Sequence, residues 1–137
     1  MAHDIQMAKE DKIKVLICED EIIVSMDIMF MMEDLGYDVV GQCASVRDGL
    51  KILENERPDA AILDVRVKDG EVFPLARELE KRGTQIIFHS GHALEDQISA
   101  SFPDAAFCPK PTNGRQLGNC LMELLAKNAD ENAERSH

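Results

Sequence analysis

Apolar positions in this chain follow two alternating rhythms: short solid runs, and stripes that return every three or four residues. Residues 13–18 are apolar except for Lys14 and read as a buried strand. Residues 22–35 follow as a helix that Gly36 stops. Residues 39–43 make a second strand. Ser45 then offers an N-cap with Asp48 three residues on. The helix it opens runs to about residue 56, with Val46, Gly49, Leu50 and Leu53 on one face. Pro58 separates it from a third strand at 60–63. Val72, Leu75, Ala76 and Leu79 form the next helical stripe, with Pro74 near its start and Gly83 at its end. Residues 85–88 make a fourth strand, and Leu94, Ile98 and Phe102 mark a short, mostly polar helix. Residues 105–108 make the fifth strand. Leu117, Cys120, Leu121, Leu124 and Leu125 form the clearest stripe, a last helix ending near Lys127.

Strands that alternate with helices over such short crossovers imply an α/β fold: a parallel sheet with helices on both faces. Strands apolar throughout fit burial on both sides. Residues 1–11 and 128–137 are polar and read as tails around one domain at 12–127, with no repeat or linker.

Composition narrows the partners. The net charge of -11 disfavours direct binding to nucleic acid, which calls for basic patches, and to anionic membranes. No apolar stretch approaches the roughly 18 residues that span a bilayer. The first ten residues hold no apolar block, so no secretion signal is expected and the cytoplasm is the expected compartment. Cys18, Cys43, Cys108 and Cys120 have no C-x-x-C spacing and read as buried free thiols.

In an open parallel sheet, chemistry gathers at the carboxyl ends of the strands. The first strand ends in Glu19-Asp20-Glu21, the third in Asp64, the fourth in His89-Ser90-Gly91 and the fifth in Pro109-Lys110-Pro111. Carboxylates crowded at a strand end repel; two charges 4 Å apart cost roughly 4 kcal/mol at an effective dielectric of about 20. A hard cation relieves that repulsion, and Mg2+ takes one or two carboxylates and accepts phosphate oxygens. A backbone carbonyl just after Asp64 is available as a further ligand. Asp64 then suits a nucleophile that forms an aspartyl-phosphate, with Ser90 donating to a phosphoryl oxygen and Lys110 pairing with the growing charge.

The pieces VLICEDE, AAILDV, FHSG and FCPKP, spread over residues 12–127, resemble the receiver domain of two-component response regulators. The resemblance implies a flavodoxin-like doubly wound sheet of five strands in the order 2-1-3-4-5. It implies that Asp64 is the phosphoacceptor and that Glu19 and Asp20 are the acidic metal pair, with the Arg66 carbonyl completing the Mg2+ site. Ser90 becomes the switch hydroxyl, Lys110 the phosphate-pairing lysine and Phe107 the aromatic switch residue, here without a hydroxyl. Arg66 and His92 fall where similar receivers tune dephosphorylation, and shielding of the phosphate is expected. The Lys110-Pro111 bond is expected to be cis. The loop VRVKDGEVFP is shorter than usual and lacks a common proline. That loop and IIFHSGH are similar to a subgroup of stand-alone alphaproteobacterial receivers, whose Phe-Ala-Thr-Gly-x-Tyr motif reads here Phe88-His89-Ser90-Gly91-His92-Ala93.

Other functions meet specific obstacles. A flavin carrier of the same layout needs a Gly/Ser/Thr-rich phosphate loop where this chain has three carboxylates. A haloacid-dehalogenase-type phosphatase needs a second Asp two residues after its nucleophile, and Arg66 stands there. A degenerate receiver serving only as a binding module is expected to have lost Asp20, Asp64 or Lys110, and all three are present. The expectation is therefore a single-domain response regulator, not an enzyme with a separate substrate. It takes a phosphoryl group from a histidine kinase or histidine phosphotransfer protein and acts on a downstream protein target or passes the phosphate on. Residues 22–32, IIVSMDIMFMM, are apolar nearly all round and read as a docking helix beside Asp64.

Overall fold

The computed structural model describes residues 12–91, 94–110 and 113–135, with side chains described to residue 130. Five strands form one parallel sheet in the order β2-β1-β3-β6-β7. They are β1 (Lys14–Cys18), β2 (Asp38–Cys43), β3 (Ala60–Asp64), β6 (Gln85–Ser90) and β7 (Ala106–Pro109). Counted among the sheet strands alone, this is the expected order 2-1-3-4-5. The helices between them are α1 (Ile22–Asp34), α2 (Val46–Ile52), α3 (Phe73–Lys81), α4 (Glu95–Ser101) and α5 (Gly114–Arg135).

Alternation along each strand divides the core in two. Leu16, Cys18, Ala61, Leu63, Ile86 and Phe88 pack with Leu53, Leu75, Leu79, Ile98 and Phe102 on the α2/α3/α4 face. Val15, Ile17, Ala60, Ile62, Ile87 and Cys108 pack with Ile28, Met32, Leu117 and Leu121 on the α1/α5 face. Three rings consolidate the first layer: Phe88 lies 5.2 Å from Phe102, and Phe73 stacks on Phe102 at 5.9 Å. The edge strand β2 is only half-buried along most of its length. It is tied to α1 by Gln42, whose Nε2 donates to Ser25 Oγ at 2.8 Å.

The helix stops expected at Gly36 and Gly83 are both present. Each glycine takes positive φ (91° and 80°), which L side chains resist. After α1 the Gly36 and Tyr37 N–H groups donate back to Glu33 and Met32, and after α3 Gly83 and Thr84 do the same to Glu80 and Leu79. These paired bonds satisfy the last carbonyls of each helix.

Three elements depart from the pattern-based expectation. The helix α2 ends at Ile52, short of residue 56, because Glu54 and Asn55 turn back to Lys51 and Ile52 in tighter bonds and Arg82 Nη1 takes the Leu53 carbonyl at 2.9 Å. Leu50, expected on its buried face, is exposed, whereas Gly49 and Leu53 are buried. The helix α5 continues past Lys127 to Arg135. Its apolar stripe ends at Leu125, but the next residues include no Gly or Pro to stop the helix. Asn113 and Gln116 open α5 with a reciprocal cap, each side chain accepting the other's backbone N–H, at 2.9 and 3.0 Å.

The third departure lies beside the site. The loop after Asp64 folds into a small hairpin, β4 (Arg66–Val67) against β5 (Gly70–Glu71). Its turn reaches the start of α2, where Asp69 accepts from Val46 N at 2.8 Å and Arg47 N at 3.0 Å. Ser45 Oγ accepts from Asp48 N at 3.1 Å, as expected.

The ring cluster and the exposed α1 aromatic make opposite predictions. Phe102 is 1% exposed and Phe30 is 56% exposed. Phe102→Ala is expected to lower stability in urea unfolding by about 3–5 kcal/mol. Phe30→Ala is expected to stay within about 0.5 kcal/mol of wild type. Equal costs would contradict this assignment of the core.

Candidate functional site

Strand parity carries three polar side chains to one place. On β1 the residues of the α1/α5 face are Val15 and Ile17, and the next in phase is Glu19. On β3 they are Ala60 and Ile62, and the next is Asp64; on β6, Ile87 is followed in phase by His89. The strands are in register, with Ile17 opposite Ile62 and Asp64 opposite His89. Each strand thus ends its apolar run with a polar group at the same level of the sheet. That is why the crowding occurs at the carboxyl edge, where helix cover ends.

Lys110 enters from the end of β7. Its backbone N–H donates to the Ser90 carbonyl at 2.8 Å, which joins the ends of β6 and β7. Its Nζ donates to Asp64 Oδ2 at 2.8 Å and lies 3.7 Å from Glu19 Oε1. Asp64 Oδ1 accepts from Arg66 N at 3.3 Å, so the backbone after the strand turns toward the carboxylate it follows. Glu19 Oε2 accepts from Glu21 N at 3.0 Å, the amide that opens α1. Burial pulls the Lys110 pKa down, but the hydrogen bond to Asp64 and the charges of Asp64, Glu19 and Glu21 outweigh it and hold it above the ordinary value. Burial raises Glu19 to about 7, against the lowering effect of the Glu21 N–H.

Glu19, Asp20 and Asp64 each offer a carboxylate oxygen within 4.8 Å of the others. Glu19 and Asp64 are buried, and Asp20 faces solvent. Glu19 Oε1 is buried without a hydrogen-bond partner. An oxygen-only donor set with an orphaned carboxylate oxygen and one open side fits a hard divalent cation that keeps some of its water.

The other expected site residues fall nearby. Ser90 is buried at the end of β6. Phe107 is half-buried and packs against the α2/α3/α4 core, opposite Phe88. The Arg66 side chain is exposed on the hairpin. His92 and Pro111 lie outside the described residues, so the tuning expected of His92 and the expected cis bond are not described. The thiols expected to be buried are so at Cys18, Cys43 and Cys108, with Cys120 half-buried, and none of the four forms a disulfide.

Two participants escape a reading by motif. Asp69 stands in a turn, and only the Asp69-Gly70 pair hinted at the hairpin that it anchors. His89 reads only as part of the polar end of the fourth strand, but it is fully buried, with Nε2 3.5 Å from Glu19 Oε1. Burial lowers its pKa to about 4. The out-of-place signal was a lone histidine in phase with Ile87 at the end of an apolar run.

The same arrangement of strands occurs in known proteins. SdrG from Sphingomonas melonis Fr1 is 30% identical and superposes with a TM-score of 0.70 over 87% of this chain and 99% of that one. A CheY-like response regulator receiver domain protein from Methanospirillum hungatei is 28% identical, with a TM-score of 0.76 over 88% and 99%. The DNA-binding transcriptional activator DevR/DosR of Mycobacterium tuberculosis is 35% identical over 121 residues, 83% of this chain. This chain spans 55% of that protein's length and 42% of the length of the transcriptional regulatory protein PdtaR from the same species. Residues 15–119 match the family model of the response regulator receiver domain. The chain, with its acidic strand ends gathered around a lysine, belongs to the receiver domain family of two-component response regulators.

Proposed function

We propose that Asp64 of this chain accepts a phosphoryl group from a phosphohistidine on a kinase or phosphotransfer protein, in a Mg2+-dependent step. The observation that carries this reading is the 2.8 Å contact between Lys110 Nζ and Asp64 Oδ2 within a cluster of three carboxylates. A structural ion pair has no need of the two further acids, which repel Asp64 and each other.

In the proposed step an Asp64 oxygen attacks phosphorus as the P–N bond breaks. The imidazole leaves with the bonding pair, and an acyl phosphate forms. Mg2+, when bound, neutralises charge on the phosphoryl oxygens. Glu19, Asp20, Asp64 and the Arg66 carbonyl are the residues to hold it. Lys110 already touches Asp64, so a small shift along the same side chain brings its ammonium to a phosphoryl oxygen. The buried Ser90 hydroxyl stands at the adjacent strand end as a second donor. Its engagement draws on the end of β6, beside the half-buried Phe107 on β7. A binding module with no phosphoryl chemistry is the alternative.

Incubation with acetyl phosphate and Mg2+, followed by intact-mass analysis, separates the two. Wild type is expected to gain one phosphate, and Asp64→Asn none. Equal labelling of the two proteins, or no labelling of either, would refute the assignment.

The donor is proposed to dock on α1. Ser25, Ile28 and Met32 face inward, whereas Ile22, Ile23, Met26 and Phe30 are exposed, at 73%, 79%, 42% and 56%. Positions 22, 26 and 30 repeat every four residues and line one face. That face begins directly after the acidic cluster, so a helical bundle seated on it brings a histidine to Asp64. The methionines fill both roles: Met32 is core, and Met26 is surface.

Met26→Ser and Ile23→Ser are expected to slow transfer from the phosphohistidine donor by about tenfold each, the scale of a loss of about 1.4 kcal/mol at an interface. Labelling by acetyl phosphate, which needs no docking, is expected to be unchanged. Unimpaired protein-to-protein transfer in both variants would remove α1 from the docking surface.

A further inference from the structure

The imidazole of His89 is the group that the proposed chemistry leaves unused. It is fully buried, and neither Nδ1 nor Nε2 has a hydrogen-bond partner. A buried polar group left unpaired is destabilising, a cost that an apolar side chain in the same slot avoids. The two residues before it, Ile87 and Phe88, are apolar, and the buried Ser90 follows it. The charged groups near the ring are Glu19, Asp64 and Lys110.

Opposite His89 lies a second orphan. Glu19 Oε1 is also buried and unpartnered, and it is 3.5 Å from His89 Nε2. Two unpaired polar atoms of complementary type therefore face each other just beyond hydrogen-bond length. The other Glu19 oxygen is already fixed by the Glu21 amide at 3.0 Å. Lys110 Nζ lies farther from Oε1, at 3.7 Å, and it is bonded to Asp64.

We propose that His89 is a positioning residue of this site: its neutral imidazole donates Nε2–H to Glu19 Oε1 and sets the orientation in which that carboxylate meets the divalent cation. With Oε2 held by the Glu21 amide and Oε1 by the ring, the plane of the carboxylate is determined at both ends. The contact closes by a few tenths of an ångström, within the reach of small side-chain rotations. The imidazole also gives Glu19 a donor that stays in place if Lys110 moves to a phosphoryl oxygen. Partners of this kind behind a metal ligand orient it, and their removal typically weakens metal binding by 10–100-fold. The ring is outside the cluster of cation-facing oxygens, so its effect acts through Glu19. The inference rests on the proposed Mg2+ site.

The test is Mg2+ binding by the full chain, followed by calorimetry and amide NMR, since the chain contains no Trp to report by fluorescence. His89→Leu, which keeps the bulk and removes the donor, is expected to weaken Mg2+ by about tenfold. His89→Gln, whose amide N–H reaches a similar place, is expected to bind within about threefold of wild type, a recovery that volume alone does not explain. Ring 15N shifts of the wild type are expected to report the Nε2–H tautomer, which decides the matter even if the leucine variant does not fold. Wild-type affinity in a folded His89→Leu, or an Nδ1–H tautomer, would overturn the positioning role alone. A wild type that binds no Mg2+ would overturn the metal site and this inference with it.

Discussion

Everything at the carboxyl edge depends on one cation, the Lys110 ammonium. It sits 2.8 Å from Asp64 and 3.7 Å from Glu19, and it is the group that makes their neighbourhood tolerable. Two carboxylate oxygens within 4.8 Å of each other repel by roughly 3 kcal/mol or more at an effective dielectric of about 20. One lysine offsets part of that for two acids, and Asp20 adds a third. The cluster is therefore undercompensated by the protein alone. A site built for stability would lack one of the acids or carry a second base.

The fold supplies the frame that holds this tension. Parallel strands in register bring β1, β3 and β6 to the same level, and parity turns Glu19, Asp64 and His89 toward one face. Two apolar layers, one built around a phenylalanine trio and the other around α1 and α5, fix the strands below the site. The hairpin after Asp64 is secured at its turn by Asp69, whose carboxylate takes two amides at the start of α2. The backbone of Arg66, which donates to Asp64, is thereby held on both sides. Local order at the site comes from neighbouring loops as much as from the sheet.

Much of this was legible in the sequence, for definable reasons. Buried parallel strands are continuous apolar runs, so β1, β3 and β6 stand out, and the residues that end them form the candidate site. The stripe Val72, Leu75, Ala76 and Leu79 is wholly buried as its spacing implies. What periodicity misses is what does not depend on burial. The last turns of α5 are polar and helical beyond the apolar stripe, and there Asn128 Nδ2 donates to Gln85 Oε1 of β6. Leu50 is exposed although apolar, because α2 is too short to bury a broad face. Asp69 caps a helix more than 20 residues earlier in the chain, a long-range contact that no local pattern encodes. His89 was invisible for the opposite reason: its position is legible as buried, but its consequence depends on a carboxylate from another strand.

The undercompensated cluster has a thermodynamic consequence that can be measured without a phosphodonor. A cation bound only by the folded chain stabilises it, by about 2.7 kcal/mol at a hundredfold excess over its dissociation constant. Thermal unfolding with and without Mg2+, at matched ionic strength, compares wild type with Asp20→Ala, in which an exposed candidate ligand is removed and the core is untouched. Wild type is expected to rise in Tm by several degrees with Mg2+, and Asp20→Ala to rise little. An unchanged wild-type Tm, or an equal rise in both proteins, would contradict the claim that these acids are gathered for a cation.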